Sequence, residues 1–217
     1  MAEINLLQLY PKSKRDIQAR SAEQVLRRDI AMKFGREYFD GDRSEGYGGY
    51  RYDRRWLPVA RTFAEHWSLR SGDRVLDIGC AKGFLIKDLM AVCPGVEVIG
   101  LDISEYALRN SVAEGSNRLV LGSAAYLPFQ NNSFRAAISV NTIHNLERSL
   151  CVQAVREMQR VAPNGGYIQV DSYRSFKERE IFLSWVLTAK THYDPAGWKE
   201  LFAEAGYTGD YYWTIIE

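Results

Sequence analysis

The chain has 217 residues, of which 46% are hydrophobic and 25% are charged, and this is enough for one domain with a core. Its formal net charge of +1 excludes the strongly basic surface typical of nucleic-acid-binding proteins. No apolar run approaches the length that spans a membrane, and the first residues lack the pattern of a secretory signal peptide. The 3 cysteines are scattered, so the sequence suggests neither a disulfide framework nor a metal site, and we expect a cytoplasmic protein of one structural domain.

The first part of the chain is predicted to form helices around an unusual loop. Apolar spacing predicts a helix over 22–39 and another over 56–67. Between them, residues 38–56 read YFDGDRSEGYGGYRYDRRW, and we call this stretch the lid segment. Its glycines make it pliable, and its tyrosines and arginines suit closure over a polar or anionic substrate. The alternative is a surface loop whose tyrosines pack on the sheet.

From residue 70 the chain alternates between strands and helices. The predicted strands cover 73–79, 96–102, 118–124, 136–141, 167–171 and 210–216, and the predicted helices cover 83–93, 104–115, 147–162 and 195–206. This alternation predicts an α/β fold, a doubly wound and mostly parallel Rossmann-like sheet with helices on both faces. Residues 70–217 are expected to form this core, and 1–69 a helical lid. For 180–190, periodicity does not separate helix from strand.

The turn after the first predicted strand reads LDIGCAKGF, at 76–84. Asp77 precedes the first glycine, Gly79, and Gly83 closes the turn. Ala81 stands where a dinucleotide-binding fingerprint has its middle glycine, which argues against an NAD-dependent oxidoreductase. Ligands of such sheets bind at the carboxyl ends of the strands, where Asp102 ends the second strand. A carboxylate there can accept hydrogen bonds from both hydroxyls of a ribose.

The D-x-G-x-x-x-G spacing resembles motif I of the class I S-adenosylmethionine-dependent methyltransferases. The resemblance continues in order over 70–217. GSAAYLPF at 122–129 resembles the third motif of that family, and RVAPNGGYIQVD at 160–171 and WKELFAEAGY at 198–207 resemble its later segments. In the third motif, Ser123 replaces the acid that usually contacts the adenine, which puts that contact in doubt.

The resemblance implies that S-adenosylmethionine is the cofactor and that S-adenosylhomocysteine is the product. In that family the glycine turn packs against the methionine part of the cofactor, and the acid at the strand end handles its ammonium group. The cofactor-binding residues implied here are Asp77, Gly79, Cys80, Ala81, Gly83, Asp102, Ile103, Ser123, Ala124 and Asn141. Structural alternatives stay open: a strand-end cap for Asp77, a helix-dipole acid for Asp102, and for Lys82 either a contact to the cofactor carboxylate or a solvated side chain.

The stretch after the fourth predicted strand reads VNTIHNLE, at 140–147. Methyltransferases of nucleic-acid amino groups carry an NPPY-like motif there, so we expect a small-molecule acceptor and no nucleic-acid or membrane partner. His144 is the predicted catalytic residue, because an imidazole at this position suits a general base. The alternative is that His144 packs beneath the cofactor. Glu147 and Asp171 are weaker candidates for the base.

Substrate contacts are predicted from the lid segment and from VDSYR at 170–174. The candidates are Tyr47, Tyr50, Arg51, Tyr173 and Arg174. Together these stretches resemble small type 11-like methyltransferases often encoded among bacterial surface-carbohydrate genes, which points to a sugar, sugar nucleotide or phosphorylated metabolite. The predicted function is methyl transfer to an oxygen or nitrogen of a small polar molecule, by a monomer or homodimer. The alternative is a subunit that binds the cofactor without turnover of its own.

Overall fold

A six-stranded sheet forms the centre of the computed structural model, which describes residues 1–11, 24–113 and 118–216. The strands are β1 (Arg74–Ile78), β2 (Glu97–Asp102), β3 (Leu119–Leu121), β4 (Ala136–Val140), β5 (Gly166–Ser172) and β6 (Asp210–Ile215). Their order is β3-β2-β1-β4-β5-β6, and every neighbouring pair is parallel. This topology confirms the predicted doubly wound, Rossmann-like fold, with its switch point between β1 and β4.

Helices cover the sheet and connect its strands. They are α1 (Gln24–Ala31), α2 (Arg36–Asp40), α3 (Leu57–His66), α4 (Phe84–Val92), α5 (Glu105–Arg109), α6 (Arg148–Val161), α7 (Phe176–Trp185) and α8 (Pro195–Ala205). A short 3₁₀ helix, Ile143–Asn145, precedes α6. The start of α8 is set by Asp194, whose side chain accepts a hydrogen bond from the amide of Gly197. Among the described residues, no helix combines the length and apolarity that a membrane crossing requires.

Alternate residues of the strands supply two hydrophobic cores, one on each face of the sheet. On one face, Leu76 and Ile78 of β1 pack with residues of α6 and α8. On the other face, Val75 packs with residues of α3 and α4, and Leu6 joins them from the start of the chain. Successive side chains of a strand point to opposite faces, so this burial pattern requires helices on both.

The predicted single helix over 22–39 is wrong, because the structure breaks it in two. α1 ends at Ala31, and α2 begins only at Arg36. Between them Phe34 has a φ of 47°, and Gly35 is extended with a φ of −89° and a ψ of −163°. Neither conformation can continue an α-helix, so the chain changes direction there. The first two residues of the predicted helix lie outside the described residues.

Other boundaries shift by smaller amounts. α5 covers only part of the helix predicted over 104–115, and residues 114–117 lie outside the described part of the chain. The ambiguous stretch at 180–190 contains the end of α7 and then extended chain at Val186. At the start of the chain, Glu3 forms a parallel bridge with Tyr211 of β6. The division at residue 69/70 stays a prediction.

α1 is bound to the end of α7 and to the chain that follows it. Nε2 of Gln24 donates hydrogen bonds to the carbonyls of Leu183 and Val186, at 2.6 and 3.3 Å. One turn later, the guanidinium of Arg28 donates to the carbonyl of Ala189 at 3.3 Å. The partners of these three bonds lie 159, 162 and 161 residues apart in the sequence. α1 and residues 183–189 are therefore held together by these hydrogen bonds.

Candidate active site

The turn between β1 and α4 has a left-handed backbone. The φ angles are 79° at Gly79, 49° at Ala81 and 72° at Gly83. The amide of Gly79 donates a hydrogen bond to the carbonyl of Leu101 on β2 at 2.7 Å. A Cβ atom on Gly79 would lie 2.0 Å from Oγ1 of Thr142, which follows β4. Only glycine fits this first position, because the turn approaches both neighbouring strands closely.

Asp102 connects the end of β2 to this turn. Its Oδ2 accepts a hydrogen bond from the amide of Ala81 at 2.7 Å, and its Oδ1 accepts one from the amide of Ser104 at 2.8 Å. Burial raises the pKa of Asp102, and these backbone hydrogen bonds oppose that rise. Each carboxylate oxygen keeps a further lone pair. The side chain is thus held in one orientation and can still accept hydrogen bonds from a ligand.

Asp77 is a second buried carboxyl group at the same edge of the sheet. It is 5% exposed, and burial together with the charge of Asp102 raises its pKa to about 7. A nearby cation would remove much of the penalty for ionising it, whereas an anion would add to that penalty. The site therefore suits a ligand that places a positive group beside Asp77.

The remaining predicted cofactor residues lie at this edge too. Ile103 follows β2 and is 58% exposed, so it offers an apolar surface to a ligand. Ser123 and Ala124 follow β3, and Asn141 follows β4 with a φ of 50°. Cys80 is buried, and burial raises the pKa of its thiol well above the usual value, so it is a packing residue and not a nucleophile.

The lid segment lies directly on the glycine turn. The ring of Tyr50 stacks on Phe84, with centroids 4.4 Å apart, and the ring of Tyr47 lies 4.3 Å from that of Tyr50. Burial raises the pKa of both tyrosines, and the charge of Asp77 contributes at Tyr50. Tyr47 nevertheless keeps 41% of its surface accessible.

Lys82 is directed towards the lid segment. Its Nζ donates to the two carboxylate oxygens of Asp40 at 2.7 and 2.6 Å, and to the carbonyl of Tyr50 at 3.2 Å. Asp40 also accepts a hydrogen bond from the hydroxyl of Tyr106 at 2.7 Å. Lys82 is only 7% exposed, so the solvated alternative is wrong. Its ammonium group binds the protein itself.

The other predicted substrate residues are more dispersed. Arg51 is exposed on the lid segment. Tyr173 packs at 5.8 Å from Phe182 of α7, in a separate hydrophobic cluster, and Arg174 is exposed beside it. Arg43 lies over the ring of a tryptophan at the end of α7, 5.5 Å from its centroid. This contact connects the lid segment to α7.

His144 is 3% exposed and lies in the 3₁₀ helix after β4. Its Nδ1 accepts a hydrogen bond from the amide of Asp171 at 3.2 Å, so the neutral ring carries its proton on Nε2. Nε2 lies 3.9 Å from the carboxylate of Asp171. Burial lowers the pKa of His144, and the charge of Asp171 opposes this. The base role of His144 stays a prediction, and it requires the ring to give up its hydrogen bond to Asp171.

Residues 76–170 match a family described as Methyltransferase domain, Methyltransf_11. The chain is 29% identical over 173 residues to a protein of Encephalitozoon cuniculi provisionally named a methyltransferase, covering 71% of this chain and 79% of that protein. It is 34% identical over 125 residues to a ubiquinone/menaquinone biosynthesis C-methyltransferase of Syntrophotalea carbinolica, covering 54% of this chain and 50% of the relative. The chain belongs to the class I S-adenosylmethionine-dependent methyltransferases.

A solved structure shares the fold of this methyltransferase. It is a Haloferax volcanii chain, provisionally named a methyltransferase and solved in complex with the Trm112 methyltransferase activator. The TM-score is 0.56 at 20% identity, over 90% of this chain and 77% of that chain, so the likeness concerns the fold alone. The chain spans only half of the Syntrophotalea relative. None of these three relatives supports the predicted resemblance to surface-carbohydrate enzymes.

S-adenosylmethionine is the methyl donor of this family, and the site geometry fits it. Asp77 suits the ammonium group, Asp102 has free lone pairs for the ribose hydroxyls, and the glycine turn permits close approach of the methionine part. When bound, the donor supplies a methyl group on a sulfonium centre, which is already a strong electrophile. The protein has to bind and orient the two substrates and exclude water.

Several residues of the methyltransferase site were not identified from sequence. Asp40 and Tyr106 bind around Lys82, and Thr142 packs against the glycine turn. Asp40 and Lys82 lie 42 positions apart, so no local spacing connects them. The one available signal was the presence of a single lysine inside an otherwise apolar turn, since a buried lysine needs an anionic partner.

Proposed function

We propose that this methyltransferase transfers a methyl group from S-adenosylmethionine to an oxygen or nitrogen of a small polar molecule. The observation that carries the proposal is the position of Tyr47 and Tyr50, which cover the glycine turn from the lid segment. A site covered by its own chain suits a small acceptor, because most of such a ligand can be enclosed. A sugar, sugar nucleotide or phosphorylated compound would find hydroxyl and cationic groups there.

The residues have separable roles in this proposal. Tyr47 and Tyr50 exclude water and contact the acceptor, and Arg51, Tyr173 and Arg174 are its further proposed contacts. A neutral acceptor hydroxyl must lose its proton as the methyl group is transferred, and His144 is the proposed base, with Asp171 as a weaker candidate. An acceptor that is already ionised needs no base.

The proposal is tested with methyl-labelled S-adenosylmethionine and the purified chain alone. We expect label in a small-molecule extract and none in total RNA, and mass spectrometry of the product to place the methyl group on oxygen or nitrogen. Asp102→Ala, which impairs donor binding, is the control for background transfer. Label in RNA or a carbon-methylated product would contradict the proposal. Binding of S-adenosylhomocysteine without transfer to any fraction would favour a subunit without its own turnover.

The same preparation tests the oligomeric state. We propose that the chain acts as a monomer or homodimer. Light scattering of the purified chain should give one of these two masses, and that species should carry the transferase activity. An inactive chain that gains activity only with a second protein would contradict this part of the proposal.

A further inference from the structure

We propose that Lys82 is a positioning residue that couples the donor-binding turn to the lid segment through Asp40. This inference rests on the proposed function, in which the lid segment covers the acceptor. It concerns a lysine whose ammonium group donates hydrogen bonds to oxygens of the lid segment. Its role would be to make the position of the lid depend on the geometry of the turn beneath it.

The backbone of Lys82 is held from both sides. Ala81 donates its amide hydrogen to the carboxylate of Asp102, and Gly83 begins α4 with a left-handed φ of 72°. The side chain leaves this fixed backbone in the direction of the lid. There its ammonium group meets three oxygens, two from Asp40 and one from the carbonyl of Tyr50. An ammonium group has three hydrogens, so its hydrogen-bonding capacity is filled by the lid alone.

Asp40 forms a second connection to the donor site. It accepts a hydrogen bond from the hydroxyl of Tyr106 on α5, the helix that follows β2. The same helix is capped by Ser104, whose amide binds Asp102. One carboxylate at the end of α2 therefore contacts the turn after β1 and the helix after β2, which adjoin two groups of the predicted donor-binding residues.

Burial makes this connection sensitive to the loss of either partner. A buried ammonium group is costly unless it is paired and hydrogen-bonded, and removal of one partner leaves the other charge uncompensated. Lys82 is 7% exposed in its present position. Without Asp40, the ammonium group regains solvation only if the lid segment moves away from the turn. The charge pair thus favours the position in which Tyr50 stacks on Phe84.

A different hydrogen bond fixes the same lid segment without involving the turn. The hydroxyl of Tyr52 donates to the carboxylate of Asp88, which lies inside α4. Substitution of Tyr52 by phenylalanine removes one hydrogen bond of the lid and leaves Lys82, Asp40 and Tyr106 intact. It is the matched control for a general loosening of the lid.

The experiment uses S-adenosylhomocysteine as the probe, with calorimetry for affinity and amide hydrogen exchange for the lid. In the wild type, the probe should slow exchange at the amides of Gly49 and Tyr50, which bind the carbonyl of Phe39. Lys82→Met and Asp40→Asn should each abolish this slowing and weaken probe binding by about 5- to 150-fold, the usual range for coupled sites. The double variant should be no weaker than the single ones, because both act on one interaction. Tyr52→Phe should keep the response.

Three results would overturn the inference. The first is that probe binding does not slow amide exchange in the lid segment of the wild type. The second is that the slowing persists in Asp40→Asn. The third is that Asp40→Asn and Tyr52→Phe lose the slowing to the same extent. In all three cases the wild type still binds the probe, whereas failure of the wild type to bind the probe at all would count against the proposed function as well. If Lys82→Met does not fold, Tyr106→Phe replaces it. That variant removes one hydrogen bond to Asp40 and must show a partial loss of the response.

Discussion

The carboxylate of Asp102 accepts a hydrogen bond from the amide of Ala81 at 2.7 Å, so the last residue of β2 fixes the turn that follows β1. The same carboxylate is the group predicted to bind the ribose of the donor. One side chain therefore joins two requirements, the shape of the glycine turn and the recognition of a ligand. Substitutions of Asp102 should affect both.

Asp102→Ala should weaken the binding of S-adenosylhomocysteine by about 1.5–3 kcal/mol per hydrogen bond lost to the charged group. The turn also loses one of its hydrogen bonds to β2, the one from the amide of Ala81, so the observed loss should lie at the upper end. Calorimetry measures the affinity, and circular dichroism checks the fold. Unchanged affinity in a folded variant would remove Asp102 from the donor site.

Donor binding should weaken at acid pH because of Asp77. Its pKa of about 7 means that the carboxyl group is largely protonated below that value, and a cationic ligand must displace the proton. Affinity for S-adenosylhomocysteine should fall by up to about tenfold per pH unit below neutrality. Asp77→Asn should bind weakly at every pH and lose this dependence. A flat wild-type profile between neutral and mildly acid pH would contradict the assignment of Asp77.

The stability of the unliganded protein should respond to pH in the opposite direction. Folding raises the pKa of Asp77 from 3.8 to about 7. The folded protein is therefore more stable when this carboxyl group is protonated than when it is ionised. This contribution is complete below the unfolded pKa and is lost as the pH rises through the folded one. Denaturant titrations of wild type and Asp77→Asn should therefore diverge as the pH rises through that window.

Two glycines with nearly equal backbone angles form a matched pair. Gly83 and Gly206 have φ angles of 72° and 71°. A Cβ atom on Gly83 would lie 2.9 Å from Cβ of Ala113, whereas Gly206 has nothing within 4 Å. Gly206→Ala should cost about 1–2 kcal/mol of unfolding free energy from backbone strain alone. Gly83→Ala should cost more and also weaken S-adenosylhomocysteine binding. Equal losses of unfolding free energy in the two variants, measured by denaturant unfolding, would show that the turn can accommodate a Cβ atom at Gly83.

His144→Asn separates the base role from a positioning role. An asparagine oxygen can replace Nδ1 as the acceptor for the amide of Asp171 but cannot act as a base. Because Nδ1 is occupied in the present structure, we expect His144→Asn to keep most of the transfer rate and His144→Ala to lose more. A fall of about 10²- to 10⁴-fold in the asparagine variant would instead support general-base catalysis. The acid limb of the pH–rate profile should then disappear with the imidazole.

The sheet and its helices could be predicted because each element buries one face. Val75, Leu76 and Ile78 alternate between the two cores, and the helices between strands carry apolar residues at helical spacing. The shared location of the residues at the strand ends could be predicted as well, because parallel strands bring their carboxyl ends to one edge of the sheet. Asp77 and Asp102 could be assigned to that edge before any geometry was known.

Other features could not be predicted, for identifiable reasons. Helical spacing persists across the break at Phe34, because apolar residues on both sides of it still pack inwards. The partner of Lys82 lies 42 positions earlier, beyond the reach of local patterns. The direction of the His144 ring depends on which of its nitrogens meets the amide of Asp171, and that is decided by tertiary packing.

The hydrogen bonds from α1 to the end of α7 and the chain after it have a consequence for biosynthesis. They join positions 159 to 162 residues apart, whereas β1, α4 and β2 are neighbours along the chain. Contacts this distant close only after both partners exist, and they are the slowest to form. During translation the donor-binding turn can fold while α7 is still unmade. The contacts between α1 and the end of α7 are completed last, so a prematurely terminated chain would contain the turn and the lid segment and lack these contacts.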